Sequence, residues 1–420
     1  MAKTESDQPR NTAADATAKK LLRIEKLVYG GDALARHEGQ IVLTPFVLPE
    51  ELAEVETRRA KGDLLRGSAS TVIEASPHRV QPACEYFANC GGCHYQHATY
   101  EYQLEQKQVI LRETLKRLGG FEYDAEIQTI SGQPWGYRNR IQLHFDQRLK
   151  MGFRRAESHE LCPIKRCPIS SPKLNEVIAK LHQAVARREW PDFLRSLEVF
   201  TNETDIQLHI VESNRPVAAR FFTWCAEILP GFVPGALEYT AAGHTFRISR
   251  GSFFQVNRYL VDALVDEVTG KGDFEPARGG TAIDLYAGVG LFSLRLAGQF
   301  DRVIAVERGG TATRDLEYNA AQSKRNVEAV RSATEDYLRG VTATPDRIMA
   351  DPPRAGLGKE ATEQLLRIES PRLVVVSCDP ATLARDLKLL RAKYSVERMT
   401  LVDLFPQTFH FETVVHLTKR

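Results

Sequence analysis

The chain has 420 residues, enough for two or three domains at roughly 150 residues each. Apolar residues make up 43% and charged residues 26%, proportions that exclude disorder, collagen-like repeats and coiled coil as descriptions of the whole. Lysine plus arginine number 56 against 54 acids, a net charge of +2, so any nucleic-acid face must be local.

Residues 1–20 hold no Leu, Ile, Val or aromatic side chain and are expected to form a loose tail without a signal peptide. Apolar runs such as Leu373–Val376 are far too short to span a bilayer. A soluble, cytoplasmic, monomeric protein with no membrane partner is expected. Residues 22–80 read as a small β domain: Leu22, Ile24, Leu27 and Val28 lead to a Gly30-Gly31-Asp32 turn, and strand-like runs Gly39–Phe46 and Ala69–Ala75 are separated by Pro49 and a basic stretch, Arg58, Arg59, Lys61 and Arg66. Five short strands in this span suit a barrel of the oligonucleotide-binding type.

Seven cysteines are an odd number for a disulfide framework, and their placement says more than their count. Cys84-x5-Cys90-Gly91-Gly92-Cys93 brings three thiols together, with glycines that permit tight wrapping. A fourth comes from Cys167, in Arg166-Cys167-Pro168-Ile169, or from Cys162, in Leu161-Cys162-Pro163-Ile164. Four thiolates suit an iron–sulfur cluster or a zinc site, and the spacing leans toward iron–sulfur. Residues 99–118 (Tyr100, Leu104, Val109, Ile110, Leu115) read as one helix ending at Gly119-Gly120. Within 137–155, Ile141, Leu143 and Phe145 alternate with Arg140, Gln142 and His144, as a strand requires. Two further strand–helix stretches fill 174–247.

From about 278 the pattern changes. Short apolar runs at 281–286, 302–307, 346–351 and 372–378 alternate with helical segments, the pattern of a doubly wound parallel sheet. Strand Thr281–Tyr286 leads into Ala287-Gly288-Val289-Gly290 and an amphipathic helix with Leu291, Phe292, Leu294 and Leu296. Glycines here let the backbone approach a ligand at a helix N-terminus, but the third glycine of a dinucleotide fingerprint is missing. Glu307 ends the next strand, where a carboxylate can bind both ribose hydroxyls. Asp351-Pro352-Pro353-Arg354 fixes a second acid at a strand's carboxyl edge. A terminal hairpin, near 396–404 and 411–417 around Phe405-Pro406-Gln407-Thr408, would add the antiparallel edge found in S-adenosylmethionine-dependent methyltransferases.

Strand Arg372–Val376 runs into Ser377-Cys378-Asp379-Pro380, with a helix beginning at Ala381. A helix N-terminus lowers a thiol's pKa, which makes Cys378 a candidate nucleophile. Glu412, at the entry to an apolar strand, is a candidate general base. A thiolate, a carboxylate and a methyl donor fit one reaction. Carbon 5 of a pyrimidine is too weakly nucleophilic to attack a sulfonium methyl until a thiolate adds at carbon 6, and the target base must be flipped out or presented in a loop.

Cys-x5-Cys-Gly-Gly-Cys, Tyr137-Arg138-Asn139-Arg140, Phe253-Phe254-Gln255-Val256-Asn257, Asp284-Leu285-Tyr286-x-Gly-x-Gly, Asp351-Pro352-Pro353-Arg354, Ser377-Cys378-Asp379-Pro380 and Phe405-Pro406-Gln407-Thr408-x-His410-x-Glu412 follow one another in that order. Together, from about residue 20 to the C-terminus, they resemble the RNA uracil-carbon-5 methyltransferase family, in particular its branch with a 4Fe–4S cluster that modifies 23S ribosomal RNA. The resemblance implies an α/β protein: an N-terminal OB-like TRAM β-barrel (21–80), a small central α+β domain with the iron–sulfur cluster (81–250), and a C-terminal Rossmann-like class I methyltransferase domain (251–420), with helix 99–118 available to pack on the catalytic domain. It implies Cys378 as nucleophile, Glu412 as the base that removes the carbon 5 proton, and S-adenosylmethionine held by Gln255, Tyr286, Gly288, Gly290, Glu307 and Asp351. For the cluster it implies Cys84, Cys90, Cys93 and Cys167, with Cys162 an extra cysteine in a repeated Cys-Pro-Ile. Arg138, Arg140, Arg154 and Arg155 are candidate RNA contacts, and Leu291 stands where relatives often carry Asn. Two other readings are the same chemistry on the tRNA T-loop and a noncatalytic iron–sulfur RNA-binding protein. Cys378 and Glu412 would be superfluous in the latter, and an amino-methyltransferase would be expected to place an aromatic residue where Arg354 stands.

Overall fold

The computed structural model describes residues 18–270 and 280–420, in two compact units. Of the tail expected over 1–20, only Ala18–Lys20 lie among the described residues, and these begin a strand.

The first unit covers residues 18–81 with 97–99. Its strands are β1 (Ala18–Arg23), β2 (Lys26–Leu27), β3 (Asp32–His37), β4 (Gln40–Pro45), β5 (Leu52–Lys61) and β6 (Leu64–Glu74). They form a half-barrel in the order β1-β5-β6-β4-β3-β2, antiparallel except where β4 runs beside β6. Leu22, Ile24, Ala35, Val42 and Val55 fill its interior. The expected five short strands are therefore six, two of them long. The basic stretch expected to separate strands lies inside the β5–β6 hairpin, where Arg58 pairs with Arg66 and Arg59 with Leu65. Alternation accounts for Arg58, since Ala53, Val55 and Thr57 point inward; Arg59 continues the inward row but is exposed, as are Arg58 and Ala60 beside it. On β6 a Cβ at Gly67 would lie 2.3 Å from Thr44 Oγ1 and 2.6 Å from Val55 Cγ1, so no larger residue fits there.

The second unit, residues 82–96 and 100–420, begins with the cysteine loop and α1 (Tyr100–Thr114). This helix runs on through a π turn, Leu115–Gly119, and stops at Gly120 with φ +69°. After β7 (Ile127–Ile130) come β8 (Arg140–Phe145), β9 (Met151–Arg154), β10 (Leu161–Pro163), α2 (Pro172–Ala184), β11 (Leu194–Thr201), β12 (Ile206–Ser213) and α3 (Ala219–Ile228). These five strands from β8 onward form an antiparallel sheet ordered β10-β9-β8-β11-β12. Ile141, Leu143 and Phe145 of β8 join Leu174, Val177, Ile178 and Leu181 of α2 in one core. A hairpin of β13 (Leu237–Ala241) and β14 (His244–Ile248) precedes α4 (Val261–Thr269).

The remaining elements are β15 (Thr281–Leu285), α5 (Ser293–Leu296), β16 (Arg302–Glu307), α6 (Gly310–Ser323), β17 (Val327–Arg331), α7 (Thr334–Arg339), β18 (Arg347–Ala350), α8 (Gly358–Ile368), β19 (Arg372–Ser377), α9 (Pro380–Leu390), β20 (Tyr394–Val402) and β21 (Glu412–Lys419). Their sheet runs β17-β16-β15-β18-β19-β21-β20-β7. The first five strands are mutually parallel, and β21 runs antiparallel to both β19 and β20. Both strands the sequence did not reveal, β7 and β17, lie at the ends of this order, where a strand is covered less and its pattern is weaker. The amphipathic helix expected after Gly290 is only the single turn α5, in which Leu291, Phe292, Leu294 and Leu296 are buried and Arg295 alone reaches the surface.

Candidate active site

A parallel sheet that reverses direction of growth at β15 opens a crevice beyond the carboxyl ends of β15 and β18. Register then sets which side chains meet there. Leu285 pairs with Val306 on one side and Ala350 on the other, so Tyr286, Glu307 and Asp351 share the next row. Tyr286 takes φ +61° and its phenol is bonded to Thr334, while burial pushes it up to about 12. Gly288, at φ +56°, has nothing within 4 Å of where a Cβ would stand, and its amide donates to Glu307 Oε2 at 2.9 Å. Glu307 Oε1 accepts from the Gly309 amide. Gly290, at φ +94°, is demanded by packing, since a Cβ would lie 2.7 Å from Leu316 Cδ1. Leu291 is buried in the core.

The catalytic candidates come together in the same way. β19 and β21 are antiparallel with Ser377 opposite Thr413, which puts Cys378 opposite Glu412, and directly opposed residues share a face. Glu412 is buried, and its Oε2 has no hydrogen-bond partner among the described residues. Burial pushes its carboxyl well above the ordinary range; Asp351 adds to this and Arg354 opposes it. Asp351 rises to about 7 through burial. Asp284, two rows below in β15 and wholly buried, also reaches about 7, through burial and then the charges of Asp351 and Glu307, while Ser293 Oγ donates to its Oδ2 and opposes the rise. Asp284 Oδ1 is left without a partner among the described residues.

Cys378 departs from expectation. Burial, then Glu412, pushes its thiol up to about 12, against which Arg354 acts. Burial outweighs any lowering by the N-terminus of α9, which is itself capped by Asp379, accepting from the amides of Ala381 at 2.9 Å and Thr382 at 3.0 Å. The positive end of the helix is spent on that carboxylate.

Gln255 is buried in the loop after β14, and its carbonyl accepts from Asn139 Nδ2 at 3.3 Å. The loop 403–412 is fixed from several sides. Lys107 Nζ, fully buried, lies 2.7 Å from Asp403 Oδ1 and donates to Phe405 O at 3.2 Å. Tyr137 Oη donates to Pro406 O at 3.0 Å and Asn257 Nδ2 to Leu404 O at 3.1 Å. Lys107 went unnoticed in the sequence. A lysine in a helix reads as solvated, and its partner is 296 residues away.

Cys84, Cys90, Cys93 and Cys167 line a cavity of about 310 Å³ together with Arg138, Arg154, Arg155 and Arg166. Cys84, Cys90 and Cys93 each lie within electrostatic reach of Cys167. Cys162, in the middle of β10, is buried in the core and is not part of the lining, although it too lies within electrostatic reach of Cys84 and Cys90. Asn175 of α2 holds the Cys167 turn, accepting from its amide at 2.9 Å and donating to its carbonyl at 3.0 Å. Among the described residues no three His, Cys, Asp or Glu groups converge closely enough for one metal ion. Four thiols around one cavity suit an iron–sulfur cluster or a zinc site alike. One candidate RNA contact is corrected: Arg140 is buried, its guanidinium 4.1 Å from the centre of the Phe200 ring and donating to Ser252 O at 2.8 Å. No helix among the described residues is long and apolar enough to cross a membrane.

The crevice presents an open glycine turn at Gly288 with the acids Glu307 and Asp351 at the neighbouring strand ends. With the reversed last strand, this fold and site define an S-adenosylmethionine-dependent methyltransferase. Residues 227–420 match the model of the tRNA (uracil-5-)-methyltransferase family. The chain is 31% identical to an uncharacterized RNA methyltransferase of Thermotoga maritima (95% of this chain, 98% of the relative). It is also 31% identical to the 23S rRNA (uracil(1939)-C(5))-methyltransferase RlmD of Erwinia tasmaniensis (95% and 96%). The crystal structure of Pyrococcus abyssi tRNA (uracil-54, C5)-methyltransferase in complex with S-adenosyl-L-homocysteine superposes with a TM-score of 0.72 at 26% identity, covering 96% of this chain and all of that one. The chain belongs to the RNA uracil-C5 methyltransferase family.

Proposed function

We propose that this protein methylates carbon 5 of a specific uridine in 23S rRNA, with Cys378 as nucleophile and Glu412 as base. The supporting observation is the β19–β21 register, which seats Cys378 opposite Glu412 beside the crevice. Bound S-adenosylmethionine supplies a methyl group on a sulfonium; Tyr286, Gly288, Gly290, Glu307, Asp351 and Gln255 would hold it. Cys378, once its thiol proton has passed to solvent, adds to carbon 6, and the ring electrons move so that carbon 5 becomes nucleophilic and takes the methyl group, the sulfonium–methyl bond breaking to leave the donor as a neutral thioether. Glu412 removes the carbon 5 proton, the carbon 5–carbon 6 double bond re-forms, and the thiolate leaves. Burial makes the ionised form of Glu412 a stronger base than an exposed carboxylate, and it must be in that form to take this proton.

The RlmD relatives favour ribosomal RNA; the solved tRNA enzyme keeps the T-loop as the second reading. Cys84, Cys90, Cys93 and Cys167 would hold a 4Fe–4S cluster in the middle domain, and the arginines around that cavity, with the N-terminal half-barrel, would grip RNA phosphates.

Unmodified 23S rRNA and tRNA transcripts, incubated with methyl-labelled S-adenosylmethionine, test this. Label should enter 23S rRNA as 5-methyluridine. Cys378→Ala should abolish transfer, and Glu412→Gln should accumulate an RNA–protein adduct on denaturing gels. Turnover by Cys378→Ala would refute covalent catalysis, and label entering tRNA alone would reassign the substrate.

A further inference from the structure

The cysteine loop does not end at its last thiol. Cys93 is followed directly by His94 and Tyr95, whose amides both donate to the carbonyl of Gln407, at 2.9 and 3.0 Å. Gln407 stands at φ +69° in the loop that ends on Glu412, and it is buried. The His94 ring packs edge-on against Phe409 of the same loop, with centroids 4.6 Å apart.

Gln103 of α1 closes the arrangement. It is buried, and its amide nitrogen donates to Tyr95 O and to Gln407 Oε1, each at 3.1 Å, while its Oε1 accepts from the Gln407 backbone amide at 3.0 Å. One side chain thus holds both the segment leaving the thiol cavity and the segment leading to the base. On the other side, the Cys84 amide donates to Gln96 Oε1 at 3.1 Å, which ties the first cysteine to the same short segment.

We propose that Gln103 is a positioning residue that clamps the wall of the cysteine-lined cavity to the loop bearing Glu412, so that filling the cavity sets the order of that loop. The inference rests on the proposed cluster and the proposed base. Five buried hydrogen bonds join the two segments and α1. A cavity wall that loosens when four thiols lose a shared ligand must therefore pull on Gln407, and with it on the approach to Glu412. Misplacement of a catalytic group by an ångström costs about 10²-fold in its step. Formation of the Cys378 adduct needs no proton from carbon 5 and is spared.

Two measurements test this. First, amide exchange of residues 403–411 is followed in the iron-loaded protein and in the same protein stripped of iron. Exchange should quicken on stripping, confined to this loop and to 84–96, and unchanged protection of 403–411 would overturn the proposal. This comparison needs no variant. Second, Gln103→Met, close in volume, should leave the rate of adduct formation within about threefold but slow adduct resolution by about 10²-fold, and Gln103→Glu, which loses the donor to Tyr95 O and Gln407 Oε1, should be no less impaired. Equal slowing of both steps, or none, would overturn it. If Glu412→Gln run alongside fails to trap an adduct, the base assignment has failed, and the exchange experiment still decides the clamp.

Discussion

Cys378 should be a slow thiol in the free protein. At pH 8 a thiol at about 12 is about one part in 10⁴ thiolate, against about a quarter for an ordinary cysteine near 8.5. That is about 2,000-fold less of the reactive form. A more basic thiolate is more nucleophilic, and a Brønsted slope near 0.45 returns about 40-fold, leaving alkylation about 50-fold slower than for such an ordinary cysteine. Iodoacetamide labelling, followed by mass spectrometry of the Cys378 peptide, gives the rate. It should climb about tenfold per pH unit from 7 to 9.5 without levelling off, because the thiolate fraction does. A plateau near neutral pH would show a low-pKa thiol and refute the reasoning from burial and the Asp379 cap.

Lys107→Met should destabilise the protein by about 3–5 kcal/mol, since it leaves Asp403 buried without its cation. Adding Asp403→Leu should restore more than half of that in urea unfolding, and a double variant no better than the single would show that the pair contributes through packing alone. Asp284 keeps its proton to about pH 7 when folded and only to 3.8 when unfolded, so its burden on folding is absent below about pH 4 and grows between pH 4 and 7, to at most about 4 kcal/mol. Asp284→Asn should therefore raise the melting temperature of the ligand-free protein more at pH 8 than at pH 5; equal shifts at the two values would discard that reading. Cys167→Ala should lose most of the iron from anaerobically purified protein, whereas Cys162→Ala should keep it; the reverse pattern in iron analysis would exchange their roles.

How much could be read from the chain differs by region. Strands β15, β16, β18 and β19 were legible because each is a short apolar run buried on both faces, and the residues following them are where a sheet of this kind binds ligands. Gly288, Gly290, Glu307, Asp351, Cys378 and Glu412 could be picked out for the same reason. Arg140 was misread because strand alternation treats arginine as outward-facing, whereas its guanidinium lies against Phe200 in the interior. The Cys378 thiol was misjudged because a helix N-terminus is visible in sequence while the burial that outweighs it is not.

The order of residues along the chain by itself determined a parallel nucleotide-binding sheet with a returning terminal strand, a set of cysteines gathered by glycines, and an acid and a thiol fit for pyrimidine chemistry. These depend on local periodicity and on residue type. Only the tertiary structure decided that Cys378 faces Glu412, that Cys167 and not Cys162 lines the thiol cavity, and that Gln103, Lys107, Tyr137 and Asn257 hold the loop that ends on Glu412. The physical reason is separation: a hydrogen bond or ion pair between residues about 300 apart, such as Gln103 with Gln407, leaves no periodic trace in the chain. It exists only once strand register and burial have brought the two ends together.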